Sequence, residues 1–153
     1  MPDYRRRLVP GGTWFFTVTL LDRRSRLLTD NIDALREATR WTMQRYPFQI
    51  DAFVVLPEHL HAIWTLPEND TDFSTRWRML KSRFVRAIPK TEPLTVSRTE
   101  RGERGIWQRR FWEHHIRTDE QLGHYADYCA INPVKHGLVR RAVDWPYEFG
   151  EPA

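Results

Sequence analysis

Two β-forming runs lie within residues 49–66, Phe53-Val54-Val55-Leu56 and Leu60-His61-Ala62-Ile63-Trp64-Thr65-Leu66, with little but Pro57-Glu58 between them. So short a connection admits an antiparallel hairpin and excludes a parallel crossover, which needs a dozen residues or more. Before the hairpin, residues 13–21 read as a strand with Trp14, Phe16, Val18 and Leu20 on one face. Asp30 or Asn31 can then cap a helix that runs to Tyr46 and is closed by Pro47. After the hairpin, Asp72 or Ser74 opens a second helix to about Ile88, where Phe73, Trp77, Leu80, Phe84 and Ile88 keep helical spacing. Residues 89–105, with two prolines and two glycines, read as loop, and a strand near 106–116 precedes a last helix. The order βαββαβα predicts an α+β fold, a ferredoxin-like two-layer sandwich whose antiparallel central sheet carries its helices on one face. With 41% hydrophobic residues, seven Trp and eight Phe, the 153 residues supply one core and form a single domain, 1–153. No repeat, low-complexity tract or linker interrupts it.

On the second strand of the hairpin, His59 and His61 fall on one face, because side chains alternate along a strand. They stand about 7 Å apart along the chain, at roughly 3.3 Å per residue, and can converge on one divalent ion. Taken alone, such a pair is more often two polar residues on a solvated strand face.

The last helix is sharply marked. Thr118 is a good N-cap, Gln121 three residues on completes a capping box, and Asp119 and Glu120 suit the positive end of the helix. Pro133 disfavours helical geometry at Asn132, which predicts an end there. Leu122, Tyr125, Ala126, Cys129 and Ala130 make the buried stripe, so the single cysteine is a small core residue, and it excludes an internal disulfide. Tyr128 and Asn132 are neighbours one turn apart along the edge of that stripe. A phenol at the rim of a core, beside an amide oxygen, can meet a metal-bound phosphate. It can also be a boundary tyrosine reaching water.

Net charge is only +4, but the cations are clustered. Arg76, Arg78, Lys81, Arg83, Arg86 and Lys90 form a run with no acidic residue among them, and Arg5-Arg6-Arg7 precedes the first strand. Both suit a phosphate backbone, and the first also fits a solvated helix face. Arg109 and Arg110 lie between Trp107 and the pair Phe111-Trp112, an interleaving that suits unpaired bases, which stack on rings. Some of those rings should instead be core, since alternate residues of a strand face opposite ways. No apolar run approaches 18 residues and no signal-peptide pattern appears, which points to a soluble, cytoplasmic protein with no membrane partner.

Three stretches resemble the REP-associated tyrosine transposases, relatives of the single-tyrosine HUH transposases of small bacterial insertion sequences. They are Leu56-Pro57-Glu58-His59-Leu60-His61, Ile106-Trp107-Gln108-Arg109-Arg110-Phe111-Trp112-Glu113-His114, and Tyr128-Cys129-Ala130-Ile131-Asn132-Pro133-Val134-Lys135-His136-Gly137-Leu138-Val139. The opening, Tyr4 to Val18, resembles the same family, so the likeness spans nearly the whole chain. It implies that His59 and His61 are metal ligands, Tyr128 the nucleophile and Asn132 the third ligand, where the insertion-sequence relatives use glutamine. It further implies a Mg²⁺- or Mn²⁺-dependent enzyme that cleaves and rejoins single-stranded DNA at repetitive extragenic palindrome hairpins through a 5′-phosphotyrosine. DNA contacts would then come from Arg5, Arg6, Arg7, Arg76, Arg78, Lys81, Arg83, Arg109, Arg110, Lys135 and His136. A monomer is expected, bacterial and associated with the nucleoid when on DNA. Two other functions stay open: a hydrolytic metal nuclease in which Tyr128 only packs, and a hairpin-binding module that does not cut.

Overall fold

The computed structural model describes residues 8–90 and 104–149. In chain order these form β1 (Thr13–Thr19), α1 (Leu27–Asp30), α2 (Ile32–Arg45), β2 (Gln49–Val55), β3 (His59–Thr65), α3 (Phe73–Arg86), β4 (Trp112–Ile116) and α4 (Asp119–Lys135). The sheet order is β2-β3-β1-β4, and every neighbouring pair is antiparallel. Each helical crossover, β1 to β2 and β3 to β4, leaves room for one strand, and the other crossover fills it. That is the ferredoxin-like arrangement expected from the element order, with the first helix split into α1 and α2.

One part of the expectation is corrected: helices cover both faces of the sheet. Trp14, Phe16 and Val18 of β1, Phe53 and Val55 of β2, and Leu60, Ala62 and Trp64 of β3 pack with Leu35 and Ala38 of α2 and Trp77, Leu80 and Phe84 of α3. The rings of Trp64 and Trp77 stack at 4.0 Å in the middle of this layer. On the opposite face, Phe15, Val54, Ile63 and Ile116 pack against Leu122, Tyr125, Ala126 and Cys129 of α4. The reason is written in the strands. Trp14-Phe15-Phe16, Phe53-Val54-Val55 and Ala62-Ile63-Trp64 are apolar at successive positions, so each strand needs cover on both sides.

Other boundaries shift for local reasons. β4 starts at Trp112 rather than 106; Trp107 makes a single bridge to Leu20 and buries its ring in the larger core. α4 continues three residues beyond Asn132, with Pro133 inside its last turn. The end is closed by a Schellman arrangement: Leu138 N donates to Pro133 O and Gly137 N to Val134 O, each at 2.9 Å. Gly137 has φ +73°, the left-handed conformation that glycine adopts without strain. The start of α4 is as expected, with Gln121 N donating to Thr118 Oγ1 at 3.1 Å, while Gln121 Oε1 accepts from Arg117 N. Beyond α4, the tail runs along the edge of β2: Val55 N donates to Tyr147 O, Phe149 N to Phe53 O, and Trp145 Nε1 to Val55 O. This segment satisfies an edge strand that would otherwise stay open on that side.

Candidate active site

The two histidines of β3 project to the α4 face, and both are buried. Their ring centroids are 4.9 Å apart. Each is held by its Nδ1. His59 Nδ1 lies 2.6 Å from Glu58 Oε1, whose other oxygen accepts from Arg23 Nε at 2.9 Å. His61 Nδ1 lies 2.9 Å from Oγ1 of Thr17, its cross-strand partner on β1. A carboxylate can only accept, so His59 donates Nδ1–H and keeps its lone pair on Nε2. His61 Nε2 is buried and has no hydrogen-bond partner.

Burial keeps both imidazoles neutral. It drives His61 down to about 3, helped by the charge His59, His136 and Lys135 would place nearby. It also lowers His59, against the opposing pull of Glu58. Neutral imidazoles are the form that binds a metal ion.

α4 brings up the remaining groups. The Tyr128 ring stands edge-on to His61 at 5.2 Å between centroids and edge-on to Phe15 at 5.9 Å. Lys135 Nζ sits 5.2 Å from the centre of the Tyr128 ring. His136, at the C-cap, is 5.3 Å from His59 by the same measure, though exposed. Asn132 does not lie on the rim, where helical spacing put it. It is 0% exposed, and both of its side-chain polar atoms lack partners. An orphaned buried amide costs about 1–3 kcal/mol, and here the Asn132 amide and His61 Nε2 are left with lone pairs that nothing in the chain takes up. Two neutral imidazole nitrogens and an amide oxygen are donors to a divalent ion and leave positions for phosphate oxygens; the amide oxygen suits Mg²⁺ or Mn²⁺, the imidazoles softer first-row ions as well. Among the described residues no three His, Cys, Asp or Glu side chains make a metal cluster, so a metal held by His59 and His61 would need the Asn132 amide as its third protein donor.

The basic residues separate into two kinds. Arg76 is not a DNA contact: it is 2% exposed, bonds to the carbonyls of Tyr46, Pro47 and Asp72, and forks onto Asp70 at 2.9 and 3.1 Å. Its guanidinium holds the Asp70 carboxyl below the usual carboxylate range. Lys81 donates to Gln108 O, and burial lowers it to about 8; Arg83 pairs with Glu37 and lies over Trp41. Arg78, Arg109, Arg110 and Lys135 are exposed. Arg5, Arg6 and Arg7 lie outside the described residues. Of the interleaved rings, Trp107 and Phe111 belong to the core layer, whereas Trp112 is exposed. Sequence reasoning missed Thr17, Glu58 and Arg23. Glu58 was visible as a carboxylate next to a histidine; Thr17 shows only through strand register.

Overall sequence and fold place the chain with proteins of the transposase class. The chain is 50% identical over 147 residues to the REP-associated tyrosine transposase of Escherichia coli K12, covering 96% of this chain and 81% of that protein. It is 46% identical over 148 residues to a Haemophilus influenzae protein provisionally given the same name, covering 96% and 84%. The solved structure of a REP-associated tyrosine transposase bound to a REP hairpin superimposes with a TM-score of 0.84 at 50% identity, over 97% of this chain and 82% of that one. A Deinococcus radiodurans structure, described provisionally as a transposase, shares the fold at 14% identity and a TM-score of 0.52, over 83% and 95%. No protein-family model matches. The chain belongs to the family of REP-associated tyrosine transposases.

Proposed function

We propose that this protein binds palindromic hairpin DNA with its flanking single strand and cleaves and rejoins that strand through Tyr128. The observation that carries the reading is the Tyr128 ring standing edge-on to the His61 ring at 5.2 Å, with His61 Nε2 unpartnered and the unpartnered amide of Asn132 one helical turn along from the tyrosine. Hairpin DNA as the partner is supported by the 50%-identical relative whose structure holds a REP hairpin. His59, His61 and Asn132 are the residues that would hold Mg²⁺ or Mn²⁺, which when bound supplies charge to polarise the phosphate.

Tyr128 performs the covalent step. Its oxygen bonds to phosphorus as the bond to the 3′ oxygen breaks, leaving a 5′-phosphotyrosine and a free 3′ hydroxyl. The phenol gives up one proton and the departing oxygen gains one. The reverse attack by a 3′ hydroxyl rejoins strands without ATP, because the phosphotyrosine retains the bond energy. A neutral phenol is a weak nucleophile, so its surroundings must help. The Lys135 ammonium over its ring offers a positive charge where negative charge develops. The exposed Arg78, Arg109 and Arg110 offer charge to the backbone of bound DNA. The protein would act as a monomer in the bacterial cytoplasm, on the nucleoid.

The test is a denaturing protein gel after incubation with a labelled hairpin and its flanking strand, drawn from repeats beside the gene, with Mn²⁺. A metal-dependent adduct lost in Tyr128→Phe is expected. Cleavage without adduct in both proteins would replace this reading with hydrolysis by metal-bound water. Tight binding without cleavage would replace it with a binding module.

A further inference from the structure

Trp112 departs from the pattern of its fellow tryptophans. Trp14, Trp64, Trp77 and Trp107 are all buried, whereas Trp112 is 53% exposed at the start of β4, an edge strand. An exposed indole is a large apolar surface left in water, and on an enzyme such a ring is a place to look for a ligand. Its surroundings specify which. Trp112 pairs with Thr17 across the sheet and so points to the α4 face, the side that carries His61 and Tyr128. The half-buried His114 ring lies parallel to it, at 8° and 5.9 Å between centroids. Phe15 stands edge-on to Trp112 at 5.8 Å and edge-on to Tyr128 at 5.9 Å, so one ring separates the indole from the nucleophile. Arg109 and Arg110 are exposed just before Trp112 in the chain, and Lys135 lies over Tyr128. A flat apolar ring continuous with a phosphate-handling site and bordered by cations matches a nucleotide, whose base is flat and whose phosphate is negative. A membrane or an apolar protein partner would need a wider apolar patch.

We infer that the indole of Trp112 is the stacking platform for an unpaired base of the DNA strand, a base close to the phosphate that meets Tyr128. This rests on the single-strand reading above but not on cleavage. Stacking tolerates any base, so the subsite fixes where the strand lies and leaves its sequence to other contacts.

The test is a binding measurement without metal, in which Tyr128 chemistry plays no part. Fluorescence anisotropy with labelled dodecathymidylate, and with the same backbone made wholly abasic, would be compared for the unaltered protein, Trp112→Ala and Trp112→Phe. Trp112→Ala should bind the thymidylate roughly 5- to 150-fold more weakly, Trp112→Phe should recover most of that loss, and none of the three should differ on the abasic strand. Equal weakening on both strands would make Trp112 a general structural support and overturn the inference. So would unchanged affinity in Trp112→Ala, or an unaltered protein that does not distinguish thymidylate from the abasic strand. Failure here with an intact Tyr128 adduct would leave the covalent reading standing, and the reverse result would leave the platform.

Discussion

The two faces of the sheet are made from the same strands and do opposite things. Under α2 and α3 the layer is closed by aromatic packing, centred on Trp64 and Trp77. Under α4 the apolar cluster is smaller and stands beside His59, His61 and Asn132, with polar atoms that find no partner in the fold. A second contrast repeats the point within the buried polar groups: Arg76 has carbonyl and carboxylate acceptors around it, while Asn132 has none. A buried polar group that is fully satisfied is part of the scaffold. The indole nitrogens of Trp14, Trp64, Trp77 and Trp107 are also unpaired in the aromatic layer, but they can only donate; His61 Nε2 and Asn132 Oδ1 carry lone pairs that a metal ion can take.

The sharpest way to break the contrast is to mutate the centre of each face. Trp64→Ala should destabilise by about 3–5 kcal/mol in a denaturant melt, through lost contacts and the cavity left behind. Tyr128→Phe should shift stability by no more than about 0.5 kcal/mol while abolishing the DNA adduct. If Tyr128→Phe unfolds the protein instead, the α4 face is scaffold as well.

Arg76 and Arg78, two residues apart, divide next. Removing Arg76 (Arg76→Met) leaves backbone carbonyls and the partly exposed Asp70 without their donor, at a cost of about 3 kcal/mol. Arg78→Ala should melt like the unaltered protein but lower the dependence of DNA affinity on salt by about one counterion. A matching loss of salt dependence in Arg76→Met would put that guanidinium on DNA after all.

Asn132 gives a smaller and reversed effect. In metal-free buffer Asn132→Leu should raise stability by about 1 kcal/mol, since it removes orphaned polar atoms from a buried position. Mn²⁺ at a hundred times its dissociation constant should add about 2.7 kcal/mol to the unaltered protein and nothing to Asn132→Leu. Equal stabilisation of both by Mn²⁺ would remove Asn132 from the ligand set.

A more gradual effect is read from pH. His61 titrates near 6.5 when unfolded but only at about 3 in the fold, so above pH 6.5 it is neutral in both states and costs nothing. Between those values the unfolded chain takes up a proton that the fold refuses, and stability falls with falling pH by at most about 1.4 kcal/mol per unit. His59 is lowered too and acts in the same direction. Urea melts of the metal-free protein from pH 7 to 4 should show this slope, reduced by one proton in His61→Gln.

Local physics made much of this readable. The Pro57-Glu58 connection forced a hairpin, alternation put His59 and His61 on one face, and a capping residue with helical spacing placed Tyr128 one turn from Asn132. Such features depend on neighbours within a few residues, which the chain carries wherever it goes. Other features depend on what lies across the fold. Arg76 reads as part of a basic face, yet the carbonyls at Tyr46 and Pro47 take it inside. Helices were expected on one face only; successive apolar residues such as Trp14-Phe15-Phe16 need cover on both, and which helix covers which face is not written in any strand. Tertiary packing turned Asn132 fully inward, gave His61 its Thr17 partner through register, and left Trp112 outside when Trp107 went in. Sequence determines which side chains share a face, because that follows from the geometry of one element. Only assembly decides which face meets another element and which meets water, because burial is shared among residues far apart in the chain.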